Sequence, residues 1–298
     1  MLTFLHPQSS LAELSEAEAM YQFESSAPTA VRDALGIECV RLAGGVVLSM
    51  REDPVNYWSK ALGFGFAGPV TADLIGEICD FYRSRKGPSA VLQFAPSVLP
   101  PDWEKIRAEY ALSRGSSWVK LARDLSTDVA NGPAGPPVER VGPQDAQEWA
   151  SVLMRGFGMP EGLLVEMTAA FAAHPCFRAY VTRSGGEVVA AAGMYIGGET
   201  AQLLGAATLA PHRGRGAQTA MLRARIADAT AAGCRVIFAE TGAEAPGAHN
   251  TSLHNMARAG FVPLYTRVNW TLSAETVPGA EGESAPDSGP DEETGSRP

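Results

Sequence analysis

The chain has 298 residues, 45% of them hydrophobic and 19% charged, with a net charge of −9. Against a prior of roughly 150 residues per domain, that length points to two domains, each able to bury its own core. No uncharged apolar run reaches the length of about 18 residues that marks a membrane-spanning helix, and the opening MLTFLHPQSSLAELSEAEAM has neither the basic nor the long apolar region of a secretory signal. The segment 274–298 holds seven acids and one arginine, which leaves residues 1–273 at −3, without the basic surface that nucleic-acid binding requires. Cys39, Cys79, Cys176 and Cys234 stand far apart with no C-x-x-C pair, so reduced thiols, a cytoplasmic location and no metal centre are expected.

In chain order, the first distinctive stretch is GFGFAG, a literal G-x-G-x-x-G at Gly63, Gly65 and Gly68. It lacks flanking arginines, carries the bulk of Phe64 and Phe66, and loses an amide donor at Pro69, so it does not read as a phosphate loop. Trp58, Phe64, Phe66 and Trp103 are expected in the core. The helical TADLIGEICDFYRSRKG, the strand-like SAVLQFAP, a helix ending in SRG and the strand-like SSWVKLARDL follow. Proline and glycine then crowd residues 132–137, marking a linker.

Beyond the linker, VERV predicts a short strand, and PQDAQEWASVLMRGFG and PEGLLVEMTAAFAAH predict helices. FRAYVTR, EVVAAAGMYIGG and TAQLLGAATLAP predict three strands, and LAPHRGRGAQTAML runs from a strand end through a turn into a helix stopped by Gly233. The strand-like CRVIFAET, a helix in NTSLHNMARAG and the strand-like FVPLYTRVNWTL complete the region. Elements repeat between the halves. Thr71 aligns with Thr219 at an offset of 148, Gly115 with Gly260 at 145, and the order helix, strand, helix, strand is shared.

The turn at Gly214 and Gly216 exposes peptide amides at a helix N-terminus, where unpaired N–H groups and the helix dipole favour an anion. Arg213 and Arg215 add forked donors, so a diphosphate suits it best. A Walker loop needs a lysine, and none lies between Lys120 and the C-terminus; a Rossmann fingerprint needs glycine where Thr219 stands.

The pattern R/Q-x-x-G-x-G/A after an apolar strand resembles motif A of the GCN5-related N-acetyltransferases, the GNAT superfamily, with Leu209, Ala210 and Pro211 in place of V-x-P and Gln218 where Gly or Ala is usual. NTSLHNMARAGFVPLYTR is similar to the family's motif B, with Asn250 at the asparagine of the coenzyme A arm and Gly260–Phe261 at its end. The resemblance implies an α+β fold of two GNAT-like domains, each a mixed, mostly antiparallel sheet flanked by helices. Residues 1–127 form a degenerate copy, 128–137 a linker, 138–273 the acetyl-CoA-binding domain, and 274–298 a disordered acidic tail.

It also implies that the backbone of Ala207, Thr208 and Leu209 pairs with pantetheine and the acetyl group. The amides of Gly214, Arg215, Gly216, Ala217, Gln218 and Thr219 would hold the pyrophosphate. The implied reaction moves an acetyl group from acetyl-CoA, a co-substrate, to an amine on a small molecule or peptide. Leu209 N–H would serve as oxyanion donor and Glu240 as base. The usual motif B tyrosine acid is replaced by Met256, which leaves Tyr265, His254 or water, and His212 lies in the turn. Met154, Phe157 and Met159 would line the acceptor side or fill the core. A non-catalytic acyl-CoA-binding regulator is the alternative, and an ATP-binding protein a third reading. No membrane or nucleic-acid partner is expected, and the chain is either a monomer or a homodimer.

Overall fold

Both faces of a strand read as apolar only when helices cover both sides, and GVVLSM and EVVAAAGMYIG carry that signature. The computed structural model describes residues 5–126, 135–245 and 247–273; the tail 274–298 and linker residues 128–134 lie outside the described residues. The first half runs α1 (Leu5–Ser25), α2 (Thr29–Leu35), β1 (Ile37–Leu42), β2 (Gly45–Met50), β3 (Lys60–Leu62), α3 (Ala72–Arg85), β4 (Ser89–Gln93), α4 (Trp103–Glu109) and β5 (Ser113–Asp124). After a two-residue strand β6 (Glu139–Arg140) the same order returns. It comprises α5 (Ala146–Gly156), α6 (Leu163–Phe171), β7 (Phe177–Ser184), β8 (Glu187–Gly197), β9 (Thr200–Thr208), α7 (Ala217–Ala231), β10 (Val236–Gly242), α8 (Thr251–Arg258) and β11 (Val262–Ser273).

The fold is mixed α+β and mostly antiparallel, but the strands of both halves form one continuous sheet of eleven, in the order β1-β2-β3-β4-β11-β5-β10-β9-β8-β7-β6. Among the described residues, only β3–β4 and β9–β10 are parallel. The last strands are exchanged: β11 pairs with β4 of the first half, and β5 pairs with β10 of the second. The two also pair with each other. Helices α1, α2, α5 and α6 share the core on one face, while α3 with α4 and α7 with α8 cover the other.

The repeat holds in order but not in the register read from sequence. Thr71 caps α3 and Gly216 caps α7, an offset of 145. After the second helix of each copy, Ala111 (φ 57°) stands where Gly260 (φ 83°) stands, an offset of 149. Backbone geometry, not residue identity, sets these equivalences.

The first-half glycine loop is packed shut. A Cβ on Gly63 would lie 2.9 Å from that of Ala17, and one on Gly65 would lie 2.5 Å from Val98. Trp58, Phe64 and Trp103 are core residues, whereas Phe66 is half-buried. Helix α1 inverts the usual pattern: its Glu13 and Glu16 are buried to 1% exposure, while Leu11 and Leu14 are exposed.

Candidate functional site

Strands β9 and β10 pair only from Thr200 to Gln202 and then part, so the β10-facing edge of β9 has no strand partner from Leu203 to Thr208. A bulge at Gly205 (φ 49°), opposite Ala192 and Gly193, bends β9 at the parting. Gly156 at the end of α5 sits so close to Ala207 that a Cβ there would come within 2.4 Å, which seats the helix tightly on the strand.

The chain then makes a short 3-10 turn over Ala210–His212 and reaches Gly214 (φ 73°) and Gly216 (φ 81°), the latter capping α7. A Cβ on Gly214 would meet nothing within 4 Å, so the backbone angle rather than space calls for glycine there. Helix α7 has no side-chain cap and no acid in its first turn. Among the described residues, no acceptor engages the backbone N–H groups of residues 214–219. Six successive amides without an acceptor among the described residues thus stand at the positive end of a 15-residue helix beside the open edge of β9.

The side chains around the turn divide their work. Arg213 Nε donates to Thr208 O at 3.1 Å and so braces its own loop, while Arg215 is exposed. Gln218 Nε2 donates to Ser252 Oγ at 3.1 Å and its Oε1 accepts from Asn255 Nδ2, tying α7 to α8. A longer side chain than the usual Gly or Ala thus serves as a helix tie, and the amides stay open. Arg225 is buried and donates to Gly193 O at 3.2 Å. Its guanidinium is pushed down to about 10 by burial.

Leu209 N–H, expected at the open edge, is engaged within the sheet. Leu209 N–H donates to Val189 O at 3.0 Å, so the sheet already uses it. Alternation along an antiparallel ladder turns the Thr208 peptide to the opposite, open edge, where Arg213 meets its carbonyl. Ala207 pairs with Ala191 on the β8 side.

Asn250 caps α8, with Oδ1 accepting from Leu253 N–H at 3.1 Å. Its Nδ2 donates to Thr241 Oγ1 and to Gly242 O, at 3.1 and 2.7 Å. The side chain is a clamp between α8 and the end of β10.

Glu240 lies where β10 leaves β9, and its side chain is 13% exposed. Its Oε2 meets Lys120 Nζ at 3.2 Å and Arg267 Nη2 at 2.7 Å. Beneath it, Glu16 contacts Lys120, and Arg267 Nη1 reaches Glu16 Oε2 at 3.0 Å and Glu13 Oε2 at 2.6 Å. Three carboxylates face two cations. Burial first, and the Glu16 carboxylate second, push Glu240 up to about 7. The Arg267 and Lys120 charges hold Glu16 well below the usual range, against its own burial.

The substitutes for the motif B acid are engaged elsewhere. Tyr265 OH donates to Glu13 Oε1 at 2.7 Å, and burial pushes its phenol far above the ordinary range. His254 Nε2 contacts Glu244 at 2.8 Å, and Met256 is the buried residue of α8. His212 is half-buried in the 3-10 turn. Met154 is core, Met159 packs against that core, and Phe157 is 49% exposed.

Sequence reasoning missed Glu13, Glu16, Lys120 and Arg267. The charged residues in WVKLARDL and YTRVNW occupy inward positions of central strands, and Glu13 and Glu16 are spaced i, i+3 on one helix face; those were the available signals.

Residues 146–261 match the model of the acetyltransferase (GNAT) family. Among solved structures, the chain is similar to a GCN5-related N-acetyltransferase from Kribbella flavida (21% identity, TM-score 0.58, covering 87% of this chain and 94% of that one). It is also similar to a GCN5-related N-acetyltransferase from Sphaerobacter thermophilus (14%, 0.58, 89% and 93%). A third likeness is to a tandem GNAT protein from the clavulanic acid biosynthesis pathway (16%, 0.51, 89% and 94%). No curated protein matches the sequence. The parted strands and the amide-lined turn lie within the segment that matches the family, and one conclusion follows: residues 146–261 form a GNAT acetyltransferase-family domain, in a chain whose fold is shared with solved GNAT structures.

Proposed function

We propose that the protein is an acetyl-CoA-dependent N-acetyltransferase whose second half holds the thioester and whose first half helps wall the acceptor side. The observation that carries this reading is the row of unengaged amides at residues 214–219, set beside the open edge of β9. A strand edge suits an extended amide-bearing arm, and the helix terminus suits a diphosphate. When bound, acetyl-CoA supplies an activated acyl group. The chain's residues align the arm along β9, aim the Thr208 N–H at the carbonyl oxygen, and accept the ammonium proton at Glu240. The amine nitrogen bonds to the acyl carbon as the C–S bond breaks, and the thiolate leaves as a weak base that takes its proton from water. A carboxyl near 7 is matched to proton acceptance at neutral pH.

A non-catalytic acyl-CoA-binding role is the second reading, favoured by the two cations on Glu240 Oε2 and by the buried Met256. Calorimetry with acetyl-CoA tests the cradle, and free-thiol release across a panel of amines separates the readings. Tight binding with no turnover on any amine favours the second, and no binding at all removes both. Stabilisation by ATP beyond that by coenzyme A in a thermal-shift comparison would point to a nucleotide ligand.

A further inference from the structure

We infer that Glu244, His249 and His254 form a binding site for a divalent transition-metal ion of the zinc type, on the loop that joins β10 to α8. This goes beyond the transferase reading and beyond the sequence expectation of no metal. That expectation rested on cysteine spacing, which says nothing of a histidine–carboxylate set.

One ligand atom from each of the three residues falls within 4.8 Å of the others. Glu244 Oε1 lies 2.8 Å from His254 Nε2 and 3.9 Å from His249 Nδ1. Ligands at about 2.0–2.2 Å from a tetrahedral zinc stand roughly 3.3–3.6 Å apart, and both separations from Glu244 lie within about 0.6 Å of that spacing. Two imidazoles and one carboxylate suit zinc far better than magnesium or calcium, which demand oxygen ligands, and they leave a position for water.

The carboxylate is held in place by a partner outside the triad. Asn250 N–H donates to Glu244 Oε1 at 2.6 Å, the kind of support that orients a metal ligand. His254 sits on the regular turns of α8, and the His249 ring stacks on it with centroids 4.3 Å apart, so both nitrogens are delivered from one side. The triad adjoins the Asn250 clamp, whose Nδ2 grips Thr241 and Gly242 at the end of β10. A bound ion would therefore fasten the loop to α8 and stiffen that wall of the β9–β10 cleft.

The test uses the full chain without a histidine tag, stripped of metal by chelation, dialysed and titrated with zinc chloride by calorimetry. One equivalent is expected to bind with a Kd at or below about 10 µM. His249→Ala and His254→Ala should each weaken binding by about tenfold or more. His249 is two-thirds exposed, so its removal leaves the fold intact, which circular dichroism verifies. Zinc should also raise the melting temperature of the wild type and not of His249→Ala. Binding that is unchanged in the double variant, or only weak binding at several equivalents, overturns the site. Acetyl-CoA affinity measured on the same samples reports separately on the transferase reading.

Discussion

Deleting a single buried negative charge should retune Glu240. With Glu13, Glu16 and Glu240 ionised against Lys120 and Arg267, the cluster carries one uncompensated charge. Glu16→Gln keeps the shape, balances the cluster, and removes the second cause of the Glu240 rise. Two charges about 4 Å apart at an effective dielectric near 20 interact by about 4 kcal/mol, and one pKa unit is about 1.4 kcal/mol. Glu16 alone is therefore large enough to account for the rise from 4.5 to about 7. Burial persists in the variant and still favours the neutral acid, so a fall of about one to two units is expected. The rising limb of kcat/KM against pH should move down by that amount, and a carbon-13 carboxyl titration should follow it whether or not the enzyme turns over. A limb still near 7 in Glu16→Gln would refute the charge-balance argument. Because the folded-state value of Glu240 is raised, its contribution to stability is present at low pH and is lost as pH climbs through about 7. The wild type should lose up to about 3 kcal/mol from this group between pH 5 and 8, and Glu240→Gln should not.

Replacing Gly214 and Gly216 together by alanine should cost about 1–2 kcal/mol per site, because both hold positive φ, and should weaken acetyl-CoA binding about tenfold or more in a protein that still folds. Unchanged calorimetric affinity would remove the cradle. Lys120→Met leaves buried carboxylates uncompensated and should destabilise by about 3–5 kcal/mol in urea unfolding; a loss under about 1 kcal/mol would mean the cluster is wetter than its burial indicates. Asn250→Ala removes a helix cap and the tie to β10, with an expected loss of about 1–2 kcal/mol and faster amide exchange at Thr241 and Gly242. Exchange unchanged at those two residues would show that the clamp does not hold the strand end.

The second half was legible because its patterns are local. A strand end, a glycine turn and an amphipathic helix each announce themselves within a dozen residues, and the structure has them in order. What failed was long-range. Which β9 amide faces the cleft depends on pairing with β8: Val189 takes the Leu209 N–H, and alternation turns the Thr208 peptide to the open edge. The residue type of Asn250 does not announce its partners Leu253, Thr241 and Gly242, which lie on two elements. The charge cluster draws on α1, β5, β10 and β11, residues up to 254 apart in the chain, and no window of sequence contains it. Two halves were anticipated; their fusion into one sheet was not, because an apolar strand does not state which neighbour it will take.

The traded terminal strands also impose a timetable. Gln93 finds its partner in Asn269, 176 positions later, so β4 keeps an empty flank until β11 has been made. Strand β5 likewise waits for β10, more than a hundred residues downstream. Synthesis of the first half alone cannot close its hydrogen-bond ladder, and a chain cut short before β11 would present two unsatisfied edges at the centre of the molecule to whatever strand arrived next.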